Sequence, residues 1–437
     1  MNDLMHVILL NDYNTRLVVG STALLGMTAG VIGSFLLLRK RSLMGDALSH
    51  ATLPGICLAF LVMSAAGLPG KSLPGLLLGA LIFGMVGVGC VLLIRTHTRL
   101  KDDAAMGIVL SVFFGLGIAL LGMIQDLPAG SAAGLESFIY GKTASMVWSD
   151  FLLIVAAAVG VLIATVLLFK ELKVLCFDAD FAGAQGWPVA RLDFAMLALV
   201  AVVTVIGLQA VGLILIIALL IIPSAAARFW TDRMIVMLLL AGGFGAAAGW
   251  LGSSWSALAT DLPAGAMIVL VAAGIFILSM ILGSTRGVLV RGLQRWRLAR
   301  TVAKQHLLRA MYEIVEQANR LTEPLLEWSE LLAARSWSAR LLRRHLRIAQ
   351  RGGLIDRVGA RSYRLTRAGT HAAARAVRNH RLWEMYLIAY ADIAPSHVDR
   401  DADQIEHVLQ PEMIERLEGL LSANVRNAAT VPPSPHA

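Results

Sequence analysis

The chain has 437 residues, 57% of them hydrophobic and only 15% charged, with a formal net charge of +9 and a mean hydropathy of +0.71. No soluble globular fold needs that much apolar surface, so a wholly soluble enzyme or binding module is excluded. The three cysteines, Cys57, Cys90 and Cys176, form no CxxC and argue against a disulfide framework or a zinc knuckle.

Met1 to Arg16 lacks a basic segment, short apolar core and cleavage site, so the first helix is expected to act as the insertion signal. Apolar runs of about 20 residues then recur. They predict nine spans, near 17–38, 46–67, 74–94, 104–124, 148–169, 192–210, 213–229, 234–252 and 264–284. The long run 194–222 is divided at Gln209-Ala-Val-Gly212, and 131–146 is too polar for a clean span, which suggests a re-entrant or interfacial segment. Basic clusters follow spans one, three, five, seven and nine: Arg39–Arg41; Arg95, Arg99 and Lys101; Lys170 and Lys173; Arg228 and Arg233; Arg286, Arg291 and Arg295. All fall on one side if the N-terminus is outside, which places the C-terminal third in the cytoplasm. Glycines such as Gly242, Gly243 and Gly245 suit close helix packing, and Pro223 reads as a kink or as a static packing feature.

Residues 41–55 hold Asp46 and His50, four apart in apolar sequence. On a helix they share a face, and a carboxylate beside an imidazole suits a divalent transition metal. Two other readings stand beside that one. Asp46 lies close to a helix start and could cap free amides, or it could pair with Arg41. His50 alone would most simply be a packed, hydrogen-bonded histidine.

After about Gly287 the chain becomes polar and rich in Arg and Glu. Arg291–Lys304 is basic and helical in pattern, suited to contact with anionic lipid. Trp328–Ala334 and Ser338–Ala349 read as amphipathic helices, and Gly352–Thr366 as a two-stranded hairpin. Arg340, Arg343, Arg344 and Arg347 gather on the second helix, either as a DNA-reading surface of a winged helix-turn-helix or as an ordinary basic cytoplasmic face. Ser422–Ala437 has a disordered composition.

Six segments carry a resemblance: Arg41–Gly55, Lys101–Gly107, Leu135–Gly141, Phe177–Gly186, Gln209–Ala227 and Asp261–Gly265. In this order and spacing the chain resembles permease subunits of ATP-driven zinc, manganese and iron uptake systems. The resemblance implies a bacterial cell-membrane protein that works as a dimer, with a second copy or a paralogue. It implies two cytoplasmic ABC ATPase subunits and an extracytoplasmic metal-binding protein as partners. The transported ion would be Mn, Zn or Fe, touched by Asp46 and His50. Asp178, Ala182 and Gly186 would belong to the coupling helix seated on the ATPase; read from pattern alone they form an ordinary surface helix. No Gly-x-x-x-x-Gly-Lys-Ser/Thr loop is present, so no nucleotide is expected on this chain and ATP hydrolysis is assigned to another.

Residues 365–417 resemble metalloregulators of the DtxR type, through Leu365–Gly369, Arg378–Glu384 and Ala402–Leu409. That resemblance implies metal ligands at His380, Glu384, Asp403, Glu406 and His407, with His397 a looser match. It also expects a carboxylate from the stretch Gln305–Glu313, where this chain has His306 and Arg309.

The expected fold is therefore an all-α polytopic membrane protein with a C-terminal cytoplasmic winged-helix plus helical metal-binding-like domain. The expected division is a permease domain 1–287, a basic linker 288–304, a winged-helix-like domain 305–370, a helical sensor or dimerisation domain 371–421 and a tail 422–437. The expected function is a metal-importer permease whose cytoplasmic domain senses metal. The alternative is a membrane-linked, metal-dependent, DNA-binding regulator.

Overall fold

In a computed structural model, the described residues are 12–68, 72–125, 141, 143–258, 262–318, 320, 325–335, 337–390, 417 and 431. Contacts divide the chain into one unit through Arg291 and another from Gly292.

The first unit is helical. Among the described residues its helices are α1 (Tyr13–Leu38), α2 (Met44–Ala65), α3 (Leu73–His97), α4 (Asp102–Gln125), α5 (Trp148–Leu167), α6 (Phe169–Phe177), α7 (Ala179–Ala184), α8 (Val189–Val211), α9 (Leu213–Arg228), α10 (Met234–Leu258) and α11 (Ala264–Leu282). Eight of these are long and apolar enough to cross a membrane, and the 16-residue α9 is the shorter ninth. The chain is a multi-pass membrane protein. Leu78, Val112, Met123, Leu239 and Leu270 are all exposed, the outward apolar surface that lipid requires. The expected division of 194–222 falls at Gly212, whose φ of 85° ends α8 and starts α9. A side chain at that φ would be strained, so glycine is needed there. Of the polar segment 131–146, the described residues include a single 3-10 turn at Thr143–Ser145. Helix α9 runs through Pro223, which is buried, and α2 runs through Pro54, so neither proline breaks its helix.

Helices α1, α2 and α8 are the most enclosed of the spans. The α1–α10 contact is close because a Cβ on Gly26 would overlap the carbonyl of Gly245, and one on Gly245 would overlap that of Gly26. Further along, the Thr22 hydroxyl lies 2.8 Å from that of Ser253. Dispersion and interhelical hydrogen bonds of this kind replace the hydrophobic effect as the force between helices in lipid.

The second unit contains α12 (Val288–Gln317) from Gly292 onward, β1 (Leu325–Glu327), α13 (Trp328–Ala334), α14 (Ala339–Arg351), β2 (Ile355–Arg357), β3 (Ser362–Leu365) and α15 (Arg367–Tyr390). The expected pair of helices and hairpin are present. Strand β1 adds an unforeseen third strand, antiparallel to β3 with Leu326 opposite Tyr363, in the order β1-β3-β2. At three residues it is too short to show a hydrophobic period. Leu307, Met311, Leu331, Leu342, Leu346, Ile355 and Leu365 form the common core. The stretch 288–304, expected as a linker, is helical and continuous with 305–317 as α12. No proline interrupts it, and its Leu, Arg and Ala are good helix formers. Helix α15 likewise passes residue 371 without a break.

Candidate metal path

Helix α2 begins without a capping side chain at Leu43, so Asp46 falls in its first turn and His50 one turn on. The spacing does bring them together: Asp46 Oδ1 lies 3.4 Å from His50 Nε2. Asp46 is 32% exposed at its side chain and His50 18%. The His50 ring stands edge-on to Phe114 of α4, with centroids 4.7 Å apart. Its Nδ1 is buried with no hydrogen-bond partner among the described residues. An imidazole nitrogen left in this way keeps a donor or a lone pair unsatisfied.

The first-turn position of Asp46 suits the helix dipole, but neither a capping bond nor a pair with Arg41 forms among the described residues. Among the described residues no helix-start amide donates to it. Arg41 does not pair with it either. Its Nε donates to Asp102 Oδ2 at 2.9 Å and its Nη1 to Asp193 Oδ2 at 3.0 Å.

Arg41 belongs to a larger cluster. Arg39 donates to Asp193 Oδ1 at 3.2 Å and to the Leu175 carbonyl at 2.9 Å, while Arg95 donates to Asp193 Oδ2 at 3.0 Å. Three arginines thus converge on two carboxylates and tie together the ends of α1, α2, α3, α4, α6 and α8. From the sequence Arg39 and Arg95 were read as topology markers, and Arg41 also as a possible partner of Asp46. Asp193 was passed over, although a lone carboxylate in the apolar run of α8 was the available signal. The fold of the α1–α2 turn aims them. Lys40, at φ 58°, is left-handed, and the amides of Lys40 and Arg41 bond the carbonyls of Leu37 and Leu36 at 3.1 and 2.9 Å. That is a Schellman helix end without glycine.

Residues 11–283 match the family described as the ABC 3 transport family. The chain belongs to that family.

Among ABC 3 relatives and other curated proteins, the chain is 37% identical over 409 residues to the manganese transport system membrane protein MntC of Bacillus subtilis, covering 93% of this chain and 92% of that protein. It is 45% identical over 289 residues to the zinc transport system membrane protein TroC of Treponema pallidum, covering 66% of this chain and 94% of TroC. The solved structure of PsaBC from Streptococcus pneumoniae in complex with Fab superposes with a TM-score of 0.55 at 32% identity, over 64% of this chain and 95% of the other.

Within the ABC 3 region, the three residues expected for coupling lie in and beside α7. Asp178 caps it, Oδ1 accepting from the Phe181 amide at 2.8 Å. Ala182 is buried, and Gly186 follows at φ 82°. Phe177 and Phe181 stand exposed on either side of Asp178. At the opposite helix ends a cavity of about 660 Å³ is lined by Gly141, Thr143, Gly212, Pro263 and Gly265. Three of the six sequence segments therefore meet there. Gly141 has φ 82°, and a Cβ on it would run into the backbone at Val211–Gly212. Asp150, also missed from the sequence, accepts from Gln209 Nε2 at 3.2 Å and from the Val147 amide at 3.1 Å nearby.

In the second unit, residues 366–428 match the family described as iron dependent repressor, metal binding and dimerisation domain. His380 and Glu384 are brought together, Nε2 to Oε1 at 3.1 Å, on α15. His397, Asp403, Glu406 and His407 lie outside the described residues. Among the described residues no group of three or more His, Cys, Asp or Glu side chains could hold a metal. Arg340, Arg343, Arg344 and Arg347 are all exposed on the face of α14 opposite Leu342 and Leu346. Arg343 and Arg347 line a cavity of about 410 Å³ with Trp328, Arg357 and Arg361. The last two arginines come from the hairpin and were missed as site residues.

Proposed function

We propose that this chain is the membrane subunit of an importer for a divalent transition-metal ion, Mn, Zn or Fe, driven by a separate ATPase chain. The observation that carries the reading is Asp46. It is partly exposed in the first turn of an otherwise apolar helix, and among the described residues it neither caps nor pairs with Arg41 and lies beside an imidazole whose Nδ1 has no partner. A carboxylate and an imidazole serve manganese and iron through oxygen and zinc through nitrogen. Two groups bind an ion weakly, and weak binding lets a transported ion leave. A second permease copy related by a twofold axis would supply a second pair and make a four-ligand ring. The names of MntC and TroC as manganese and zinc transport proteins support the substrate class.

The partners follow from the two ends of the bundle. The exposed Phe177 and Phe181 flank the capped α7 and suit an apolar groove on the ATPase. The cavity at Gly141, Gly212 and Pro263 lies at the opposite ends, where an external binding protein would deliver the ion. The cytoplasmic unit is, in this reading, a regulatory module that combines a winged-helix-like part with a sensor part. The arginines around the Trp328 cavity favour an anionic partner for it, and DNA is the second reading that they support.

The test is metal accumulation in cells carrying Asp46→Ala or His50→Ala. Each should abolish uptake while the level of the protein and its co-purification with the ATPase stay unchanged. Normal uptake in both variants removes the assignment. Binding of promoter DNA by the full-length chain in nanodiscs would support the second reading.

A further inference from the structure

We infer that the buried His380–Glu384 pair of the C-terminal unit is not a divalent-metal site, because the guanidinium of Arg309 takes the cation's place and ties α12 to α15 with a charge that cannot dissociate. This goes beyond the transport reading and does not depend on it.

Arg309 on α12 is 4% exposed, and His380 and Glu384 on α15 are 2% exposed each. Arg309 Nη1 lies 2.8 Å from His380 Nδ1. A guanidinium has donors and no acceptor, so Nδ1 must be the accepting nitrogen. The ring proton then sits on Nε2, which faces Glu384 Oε1 at 3.1 Å. A metal needs a lone pair from one ring nitrogen. Here the lone pair of Nδ1 is given to Arg309, and Nε2 carries a proton directed at the carboxylate. Among the described residues both ring nitrogens of His380 are therefore engaged.

Charge leads to the same conclusion. Arg309 also donates through Nε to Glu313 Oε1 at 2.7 Å. A divalent ion entering between His380 and Glu384 would have to expel this buried guanidinium or sit beside it. Expulsion strands a buried cation, and cohabitation sets like charges together at low dielectric. Nor is metal needed to hold the helices. Next to His380 and two turns on from Arg309, Arg381 Nη1 donates to Glu316 Oε1 at 3.1 Å, a second tie between α12 and α15. The match of residues 366–428 to a metal-binding domain and the chemistry of this pair therefore disagree, and the residue at 309 is the cause.

The test counts Mn(II) bound per chain, by electron paramagnetic resonance, on the full-length protein in nanodiscs. All arms carry His50→Ala, to remove one ligand of the transport path. Adding His380→Gln should leave the count unchanged, since glutamine can still accept from Arg309 and donate to Glu384. Loss of one ion per chain on that change overturns the inference. In the same background Arg309→Glu should gain one ion per chain, and the gain should vanish when His380→Gln is added. A trypsin-resistant Arg309→Glu chain that gains no ion also overturns it. If Arg309→Glu does not fold, the His380→Gln comparison decides alone.

Discussion

Arg41 donates to Asp193 Oδ2 at 3.0 Å, and both side chains are almost wholly buried at the cytoplasmic ends of the helices. The pair lies between two functional elements. Arg41 is three residues before α2, which carries Asp46, and Asp193 is in the first turns of α8, just after α7. Breaking a buried pair by removing one partner costs about 3–5 kcal/mol, because the other charge stays buried. Asp193→Asn should therefore lower the thermal midpoint of the purified chain sharply. Arg95→Ala should do less, since Arg95 is half-exposed. Fluorescence-detected unfolding of the two variants in one detergent checks the order.

Cys176 lies against this cluster, its Sγ 3.9 Å from the Phe35 carbonyl. Burial first, and Asp193 second, push its thiol up to about 12, against the opposing pull of Arg39 and Arg41. Thiolate is the reactive form, so Cys176 should resist iodoacetamide at neutral pH in the intact protein. Asp193→Asn should speed its alkylation at least tenfold by opening the cluster and removing the carboxylate. Peptide mass spectrometry at timed intervals reads this directly.

Lys40 is the non-glycine left-handed residue at the end of α1, where a side chain costs roughly 1–2 kcal/mol. Lys40→Gly should stabilise the protein by about 1 kcal/mol. Lys40→Val should destabilise it, a β-branched residue being worse at positive φ. Thermal midpoints with matched lipid content give the sign.

At the α1–α10 contact, Gly245→Val should cost more than about 3 kcal/mol, because its Cβ meets backbone that cannot turn away. Gly243→Val has nothing near the added atom and should be tolerated. Size-exclusion profiles of the two variants should differ, with loss of the monodisperse peak for Gly245→Val alone.

His345 in α14 is held below the ordinary histidine value, chiefly by burial and then by Arg344. Its Nδ1 has no partner among the described residues, and its ring stands edge-on to Trp337. A histidine with a lowered folded pKa stabilises the fold above its unfolded value of 6.5, and that stability is lost as pH falls through the lower folded value. The cytoplasmic unit should become more sensitive to trypsin from pH 6.5 downward. His345→Gln should flatten that dependence.

Much of the membrane unit was legible in the chain because its signal is local. Runs of apolar residues long enough to span lipid stand out singly, and the expected split of 194–222 falls on Gly212, where a positive φ was needed. The four-residue spacing of Asp46 and His50, and of His380 and Glu384, held because helical periodicity alone puts each pair on one face. The arginine stripe of α14 was legible for the same reason.

What the chain determined by itself was the run of apolar helices and the pairing of residues one turn apart, since each depends on neighbours in sequence. Only the tertiary structure decided which charges meet across the bundle. Asp193 lies 152 residues from Arg41, and Arg309 lies 71 from His380. Whether a carboxylate is free for an ion, or a histidine already occupied by a guanidinium, depends on partners that no spacing rule connects.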